Sequence, residues 1–408
     1  MQLCEHFGYP DNHHDNSVFF PAWIKLVIRS TRFTDPTQFS NYSGSKFFLD
    51  ETHPEDNSFK TIETQVTGAP MKAYVLKKTG APRILKMEEV DTPLMVSSEV
   101  RVKIQSIGLN YAEIQSRKGL YGWAPKRPYI PGMEAFGIIE EVGADVATLK
   151  TGMPVIVVGQ FGCYAEEVVV PETQILPSIQ HFSEAENAAF AVQFMTAWVA
   201  LMEICRLRST DRVLIQAAAG GVGTAAVQIA KANGCEVFGT ASRDSKLELI
   251  RSLGADHAIN YGTDDFVKYI HNTTGGQGVD VVLEVVGGEI FRKSLEILNP
   301  FGRLVVIGFA SLNLNKLNPF SWWQTWRDIP RVKIDAMATA SQVVGASHLG
   351  YLLEDTERLM RIWGELKEFT VKHELKPVIG HEFPFANMAE AHALMESRQS
   401  MGKIVIHI

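Results

Sequence analysis

A glycine-rich stretch in the second half of the chain has residue types and a spacing that could bind a phosphate. Residues 213–234 read VLIQAAAGGVGTAAVQIAKANG. The pattern predicts a strand at 213–216, a turn at 218–223 and a helix at 224–233, with Gly234 as a left-handed cap. The unpaired N–H groups and the positive dipole end of such a helix favour an anion. A purely structural turn is the alternative, because glycine clusters occur in many loops.

The glycine positions match the dinucleotide fingerprint G-x-G-x-x-G. Its second glycine lets the backbone approach a pyrophosphate, and its third permits close packing of the helix. Gly220 and Gly223 take these two positions, and Ala218 takes the first. Gly221 and Val222 lie between the two glycines. Alanine suits the first position if its φ stays negative, so the stretch predicts a dinucleotide site.

The residues after the next strand indicate which dinucleotide binds. An NAD site usually carries an acid about 20 residues further on, which binds the ribose 2′-hydroxyl. Here the chain has Ser242 and Arg243, with Lys246 one helical turn later. Cations would hold the 2′-phosphate of NADPH, which an acid would repel. In the alternative reading both cations are solvated charges at a helix start, and Asp244 between them weakens the case for NADPH.

Alternating strands and helices surround this stretch and would position it. Five strands are predicted at DRVLIQ, CEVFGTAS, DHAIN, GVDVVLEVVGG and GRLVVIG, with helix-period segments between them. This order is typical of a doubly wound parallel sheet in an α/β fold. Upstream, MKAYVLKKTG, ILKMEEVDTP and EVRVKIQSIGLN predict strands of a mostly antiparallel unit. We expect the final strand, GKIVIHI, to return to that unit.

Residues 1–70 differ from the rest in composition. Their polar runs predict a weakly structured extension, and Met71, which opens the strand pattern, is a candidate translation start.

The formal net charge is −7 and Lys and Arg form no stripe, which argues against nucleic acid as a partner. No apolar run reaches the roughly 18 to 20 residues that span a bilayer. The isolated Cys4, Cys163, Cys205 and Cys235 predict a reducing, cytoplasmic setting with no disulfide framework or zinc lobe.

An ordered set of motifs resembles a known family. GLNYAE, YIPGMEAFGIIEEVG, GCYAEEVVVP, AAAGGVGTAAVQIA and the terminal GKIVI occur in the order expected of the medium-chain dehydrogenase/reductase superfamily. Within it the chain resembles the zinc-free quinone oxidoreductases. AAAGGVGTAAVQ, VFGTAS, FSWWQTW and SHLGYL are similar to the branch that contains the vesicle amine transport protein 1 homologues. The resemblance covers residues 71–408.

This resemblance implies two domains with an active site in the cleft between them. A GroES-like catalytic domain, mostly antiparallel β, would comprise 71–194 and 346–408, interrupted by a Rossmann NADPH-binding domain at 195–345. Zinc-dependent members carry a Cys where this chain has Asn110 and a His where it has Met133. An amide and a thioether are poor zinc ligands, so we expect no metal. Family likeness also suggests a homodimer.

The resemblance further implies which side chains contact substrate and cofactor. Asn110 and Tyr121 match positions near the nicotinamide and substrate, with Tyr111 behind them, and as hydrogen-bond donors they would stabilise an oxyanion. Each has a structural alternative, Asn110 in a turn and the tyrosines in packing. Glu134 is expected to be a buried structural carboxylate. The other implied cofactor contacts are Thr196, Lys246, Tyr261, Gly308, Phe309 and Lys403, of which Tyr261 could instead be a strand-end aromatic and Lys403 a solvated charge.

Without zinc to polarise a carbonyl, the expected hydride acceptor is one that is already electron-poor. The sequence therefore predicts a zinc-independent reductase that transfers hydride from NADPH to a quinone or an α,β-unsaturated carbonyl. The alternative is a cofactor-binding protein with little or no turnover that acts through a peripheral membrane, lipid or partner contact. Trp322, Trp323 and Trp326 leave this open, because they fit a core or dimer contact, a substrate pocket or a docking patch.

Overall fold

The computed structural model describes residues 70–310, 329 and 331–408. The predicted extension before Met71 and the cluster of Trp322, Trp323 and Trp326 lie outside the described residues. The extension, the proposed translation start and the role of the tryptophans therefore stay predictions.

A mostly antiparallel sheet forms from strands before residue 180 together with the last two strands of the chain, which pair in parallel with each other. β1 (Met71–Tyr74) and β2 (Met87–Val90) pair as a separate two-stranded sheet. The following strands are β3 (Glu99–Leu109), β4 (Glu134–Val142), β5 (Pro154–Val158), β6 (Glu167–Pro171) and β7 (Ile175–Pro177). They form a seven-stranded sheet with β14 (Ile379–Pro384) and β15 (Lys403–His407), in the order β14-β15-β3-β4-β5-β7, and β6 pairs with β3. The final strand thus lies antiparallel to β3, with Ile404 opposite Leu109.

A six-stranded parallel sheet forms from the middle of the chain. Its strands are β8 (Arg212–Ile215), β9 (Glu236–Ala241), β10 (His257–Asn260), β11 (Val279–Glu284), β12 (Leu298–Val306) and β13 (Val343–Ala346), in the order β10-β9-β8-β11-β12-β13. The five predicted strands are all present. The sixth, β13, escaped sequence analysis because it is four residues long, is partly exposed and shows no alternating burial.

Helices connect and cover the strands of both sheets. They are α1 (Tyr111–Lys118), α2 (Glu184–Trp198), α3 (Gly221–Ala232), α4 (Asp244–Ser252), α5 (Phe266–Thr273), α6 (Gly288–Glu296), α7 (Ile334–Ala340), α8 (Thr356–Lys372) and α9 (Met388–Glu396). Short helices of the tighter 3₁₀ type lie at Pro82–Ile84, Glu172–Gln174, Leu349–Glu354 and Phe385–Asn387. The predicted fold class, an antiparallel unit joined to a doubly wound parallel sheet, is confirmed.

Helix α2 joins the two units and is buried along most of its length. It begins at a capping box, in which Glu186 N donates to Ser183 Oγ (3.2 Å) and Ser183 N donates to Glu186 Oε2 (2.7 Å). It continues into a wider π-type turn at Val199–Ile204. Together these residues, Glu184–Ile204, make one segment long and apolar enough to cross a membrane, with a mean hydropathy of 1.3. Core helices of globular proteins can have the same length and apolar composition. Because 67% of this segment is buried inside the protein, it resembles such a core helix.

Candidate functional site

The glycine stretch forms a cradle between β8 and α3. The helix begins at Gly221, three residues before the predicted start, because Thr224 N already donates to Gly220 O (2.8 Å). The amides of 221–223 therefore precede the helical hydrogen-bond ladder and are available to an anion. Gly234 follows the helix with φ +90°, which is the predicted left-handed cap. Ala218 has no positive φ, and the left-handed conformation falls instead on Ala217, with φ +50°.

The two fingerprint glycines are needed for different reasons. A Cβ on Gly223 would lie 2.4 Å from Ala217 O, so only glycine allows the helix to pack this closely against the turn. A Cβ on Gly220 would meet only the same carbonyl, at 3.4 Å, and the φ of Gly220 is −81°. The protein alone would accept a side chain there, and that side chain would fill the cradle. The space beside Gly220 is therefore open on the side away from Ala217 O.

A buried chain of polar groups fixes the turn that carries the cradle. Ala217 N donates to Thr240 Oγ1 (3.2 Å), whose own hydroxyl donates to Gln216 Oε1 (2.7 Å). Gln216 Nε2 donates to Ser294 Oγ (3.1 Å), which donates to Glu284 Oε2 (3.3 Å). These residues stand at the ends of adjacent strands of the parallel sheet and in α6. They hold Ala217 in its unfavourable backbone conformation, since each buried polar group finds its partner in the next.

Gln193, in α2, faces the cradle and was not predicted. It is 1% exposed, and neither its side-chain oxygen nor its nitrogen has a hydrogen-bond partner. A Cβ on Gly221 would lie 2.7 Å from Gln193 Oε1. An unpartnered buried amide costs about 1–3 kcal/mol, so its presence beside the cradle fits a group that hydrogen-bonds to a ligand. The only sequence signal is a glutamine inside the apolar run AAFAVQFMTAW.

Two predicted cations stand at the end of β9. Arg243 is exposed and directly precedes α4, and Lys246 is half-buried, with Nζ donating to Arg398 O (2.9 Å). Burial and the charge of Arg243 both lower the pKa of Lys246. Neither cation pairs with a carboxylate among the residues that the structure describes. Ser242, also predicted, lies between β9 and Arg243, and Lys246 lies in the first turn of α4, so the three residues are close together in the chain.

Most of the remaining predicted cofactor residues follow strands of the parallel sheet or lie in α2. Tyr261 follows β10, is 49% exposed, and donates its backbone N–H to Ala241 O (3.0 Å). Gly308 and Phe309 follow β12, and Phe309 is 43% exposed. Thr196 uses its hydroxyl within its own helix, because Oγ1 donates to Val192 O (2.6 Å).

A buried lysine joins three separate segments at the start of β15. Lys403 is 2% exposed, so the alternative reading as a solvated charge is wrong. Its Nζ donates to Asn110 Oδ1 (2.7 Å) and to Glu134 Oε1. Glu134 is fully buried, and its second oxygen accepts a hydrogen bond from Val192 N (2.9 Å), in agreement with the structural role expected for this carboxylate.

These contacts fix the orientation of Asn110. Because an ammonium can only donate, Asn110 Oδ1 must face Lys403. The amide nitrogen then donates to Gly108 O (3.2 Å) and Glu134 Oε1 (3.1 Å), so both of its hydrogens have partners inside the protein. Asn110 also precedes α1 as its N-cap. The predicted oxyanion donor therefore has no free amide hydrogen in this arrangement.

A second buried network lies behind Asn110. The carboxylate of Glu113 accepts hydrogen bonds from Asn110 N (2.8 Å), Met133 N (2.8 Å) and Tyr164 Oη (2.6 Å), and Tyr164 Oη also lies 2.9 Å from His392 Nε2. Burial raises the pKa of Glu113 to about 7, although these hydrogen bonds oppose the shift. Burial also lowers the pKa of His392 to about 3, which keeps that ring neutral.

Tyr121 belongs to a third cluster, which sequence analysis missed apart from Tyr121 itself. Its hydroxyl lies 2.9 Å from His348 Nε2 and 3.4 Å from Gln160 Oε1. Trp123 stacks on His348 with ring centroids 4.3 Å apart. Burial raises the pKa of Tyr121 to about 12, so its hydroxyl stays protonated near neutral pH. Tyr111 is half-buried at the start of α1 and, among the described residues, joins none of these networks.

Comparisons with known proteins identify the family to which this fold belongs. Residues 96–180 match the alcohol dehydrogenase GroES-like domain, and residues 221–334 match the zinc-binding dehydrogenase family. The chain is 34% identical to the synaptic vesicle membrane protein VAT-1 homolog of Rattus norvegicus over 343 residues, which is 83% of this chain and 84% of the relative. It is 31% identical to the quinone oxidoreductase of the same species over 340 residues, which is 82% of this chain and 97% of the relative.

The chain belongs to the medium-chain dehydrogenase/reductase superfamily. Solved structures of this superfamily superimpose on it. A mycobacterial protein complexed with NADPH gives a TM-score of 0.74 at 26% identity, covering 83% of this chain and all of that one. A quinone oxidoreductase from Pseudomonas syringae gives the same TM-score at 28% identity and the same coverage. A human VAT-1 homolog-like protein gives 0.72 at 25% identity, covering 84% and 99%.

Membership of this superfamily makes the protein an oxidoreductase by family, with a Rossmann-type NAD(P)-binding domain. The predicted resemblance is thereby confirmed. The domain boundaries and the roles of individual site residues stay predictions. So does zinc independence, which depends on the side-chain types at Asn110 and Met133. The described residues contain no group of three or more His, Cys, Asp or Glu side chains placed to hold a metal ion.

The cradle glycines predict a contrast between two matched substitutions. Gly220→Ala should leave the free energy of unfolding close to wild type, because the new Cβ meets no atom closer than 3.4 Å, and should weaken dinucleotide binding at least tenfold. Gly223→Ala should lower the free energy of unfolding by roughly 2 kcal/mol or more, because its Cβ would overlap Ala217 O. Urea unfolding and titration with NADPH measure both effects. Equal stability of the two variants would contradict this account of the turn.

Glu113 predicts a pH dependence of stability. Its carboxyl titrates near pH 4.5 when unfolded and near 7 when folded, so between these values the folded state binds more protons. The free energy of unfolding should therefore contain a contribution that falls as pH rises from about 4.5 to 7. His392, with its pKa lowered from 6.5 to about 3, contributes the opposite slope between those values.

Comparison of wild type with Glu113→Gln isolates the carboxyl, because both proteins retain His392. Urea unfolding at pH 5, 6, 7 and 8 should show wild type losing stability relative to the variant as pH rises. A constant difference between the two proteins across this range would show that Glu113 does not titrate there.

Proposed function

We propose that this protein is a zinc-independent reductase that transfers hydride from NADPH to a quinone or an α,β-unsaturated carbonyl. The observation that carries the proposal is the contact of the Lys403 ammonium with Asn110 and Glu134. The resemblance aligns Asn110 with a zinc ligand of metal-dependent relatives, yet here its oxygen is bound to a cation that is part of the protein. A metal ion beside this ammonium would be repelled and would find an amide and a thioether as ligands.

This arrangement restricts the acceptor. A simple ketone needs a Lewis acid to polarise its carbonyl, whereas a quinone or enone delocalises the incoming charge over its own conjugated system. NADPH supplies the hydride when bound, and the protein orients the acceptor and excludes water. Because both amide hydrogens of Asn110 are engaged, the donor to the developing oxyanion is Tyr121, whose hydroxyl stays protonated. Asn110 then acts by holding Lys403 in place.

The cofactor preference rests on the residues between β9 and the first turn of α4. Arg243 and Lys246 lie close enough for the charge of one to lower the pKa of the other, and no described carboxylate pairs with either. A 2′-phosphate between them would relieve this repulsion and gain charge-assisted hydrogen bonds. The NADPH complex of the mycobacterial relative supports the same choice. Gly220, Gly221 and Gln193 would hold the pyrophosphate end, as their geometry allows.

Initial rates of NADPH and NADH oxidation with a panel of quinones and enones test this function. We expect turnover with NADPH to exceed turnover with NADH. Arg243→Ala should lower kcat/KM for NADPH about 10- to 100-fold, because it removes one charge-assisted hydrogen bond of roughly 1.5–3 kcal/mol. The kcat/KM for NADH should stay unchanged. Arg251→Ala is the matched control, because it removes an exposed arginine from the last turn of α4, the helix that Arg243 precedes.

Two results would overturn the proposal. Equal or better kcat/KM with NADH would show that the loop does not select the 2′-phosphate. Absence of turnover with every acceptor, together with binding to liposomes, would favour the alternative of a cofactor-binding protein that acts at a membrane surface. The VAT-1 homologs among its relatives, whose names refer to the synaptic vesicle membrane, are the reason to include liposomes in the test.

A homodimer is part of the proposal. Among the described residues β13 has a strand neighbour on one side only, and exposed apolar side chains lie near this edge, with Val343 54%, Ile334 75% and Phe301 81% exposed. An open edge of this kind pairs readily with another chain. Sedimentation should give a dimer for wild type and a monomer for Val343→Lys. Leu94→Lys, at an exposed position of the other unit, should stay dimeric, and dimers of Val343→Lys would contradict this interface.

The protein is also proposed to reside in the cytoplasm. Cys163, Cys205 and Cys235 are buried and unpaired, and burial raises the thiol pKa of Cys205 to about 12. Such thiols suit a reducing compartment.

A further inference from the structure

His348 connects the end of the parallel sheet to Tyr121, which follows α1. It lies two residues after β13, and its two ring nitrogens have different partners. Nδ1 accepts a hydrogen bond from Gly350 N at 3.2 Å, and Nε2 lies 2.9 Å from Tyr121 Oη. Trp123 stacks on the imidazole, with an interplanar angle of 17°. The ring is therefore held in both position and orientation.

The contact with Gly350 decides which nitrogen carries the hydrogen. A backbone N–H can only donate, so Nδ1 must offer a lone pair. A neutral imidazole then carries its hydrogen on Nε2. Burial lowers the pKa of His348, which keeps the ring neutral. Nε2 must consequently donate to the oxygen of Tyr121, and the tyrosine accepts.

The hydrogen bond that Tyr121 accepts from His348 fixes the direction in which the tyrosine hydroxyl can donate. Its oxygen receives a hydrogen bond from His348, so its own hydrogen points elsewhere. The other partner that it has is Gln160 Oε1 at 3.4 Å, which is long for an O–H donor. A hydroxyl that accepts one hydrogen bond also donates more strongly through its own hydrogen. The hydrogen of Tyr121 is thus polarised and held by a weak partner that a better acceptor can replace.

We propose that His348 is a positioning residue that commits the Tyr121 hydroxyl to donate to the oxygen of the acceptor that gains negative charge during reduction. This role rests on the proposed function. Gly350 is needed for this arrangement, because a Cβ there would lie 2.1 Å from Gln160 Nε2 and 2.7 Å from His348 Cε1. No side chain fits at 350 without displacing a partner of Tyr121.

Substitutions at His348 separate its two hydrogen bonds. His348→Asn can still accept from Gly350 N but is too short to donate to Tyr121, and His348→Gln can reach Tyr121 with its amide nitrogen. With NADPH and the best quinone or enone, His348→Asn should lower kcat about tenfold and leave the KM for NADPH unchanged. His348→Gln should restore kcat to within about threefold of wild type.

A double-mutant cycle tests whether the two residues act as one unit. Tyr121→Phe should lower kcat by at least as much as His348→Asn, and adding His348→Asn to Tyr121→Phe should cause no further loss. Multiplicative losses in the double variant, or an unchanged kcat in His348→Asn, would overturn the role of His348. A wild-type protein without turnover would overturn the proposed function, and this role with it.

Nitrogen NMR of the imidazole tests the tautomer without any turnover. In the full-length protein at pH 7, His348 should show a protonated Nε2 and an unprotonated Nδ1. A hydrogen on Nδ1 would overturn the inference even in an active enzyme, and the predicted tautomer in an inactive protein would locate the failure in the proposed function.

Discussion

The ion pair between Lys403 and Glu134 is the constraint on which the rest of the site depends. Removing two charges from water costs several kcal/mol per ion, and the interior compensates only when every remaining donor and acceptor is satisfied. Here Glu134 gains hydrogen bonds from Asn110 and from the backbone of α2 at Val192. The pair therefore requires the start of β4, the start of β15, the N-cap of α1 and the middle of α2 to meet at one point.

The residue that directly precedes β15 also contacts the glycine-rich turn. Gly402 N donates to Ala219 O at 2.8 Å, one residue before Lys403. Gly402 has φ +59°, and a Cβ there would lie 2.4 Å from Val378 O, so glycine alone permits this approach. The glycine-rich turn is thus hydrogen-bonded to Gly402, the residue that directly precedes the buried Lys403. A displacement of either would be transmitted to the other through a single peptide unit.

Sequence reasoning succeeded where the signal is local. The cradle was predictable because glycine positions and apolar periodicity are set within about 20 residues of each other. It failed at β13, whose four residues carry no periodicity, and at the start of α3, which it placed at Thr224. The sequence left two roles open for Lys403, a cofactor contact and a solvated charge, because lysine is almost always exposed unless it is paired. Its partners lie 293 and 269 residues away, and no spacing rule reveals them.

His348 illustrates the same limit for catalytic geometry. It is 227 residues from Tyr121 in the chain, and a lone histidine offers no pattern. Its significance comes from the pairing of both ring nitrogens, which only the folded chain creates.

The position of Lys403 within β15 fixes the number of residues that can precede this strand. Successive side chains of a strand point to opposite faces, so a shift of one residue exchanges those faces. Deleting one residue beside Gly402 would move Ile404 into the place of Lys403, and an insertion would also displace Lys403, so either change would leave Glu134 buried without its cation. This terminal segment should therefore tolerate exchanges among apolar residues of similar volume at 404–406 far better than any change in the number of residues.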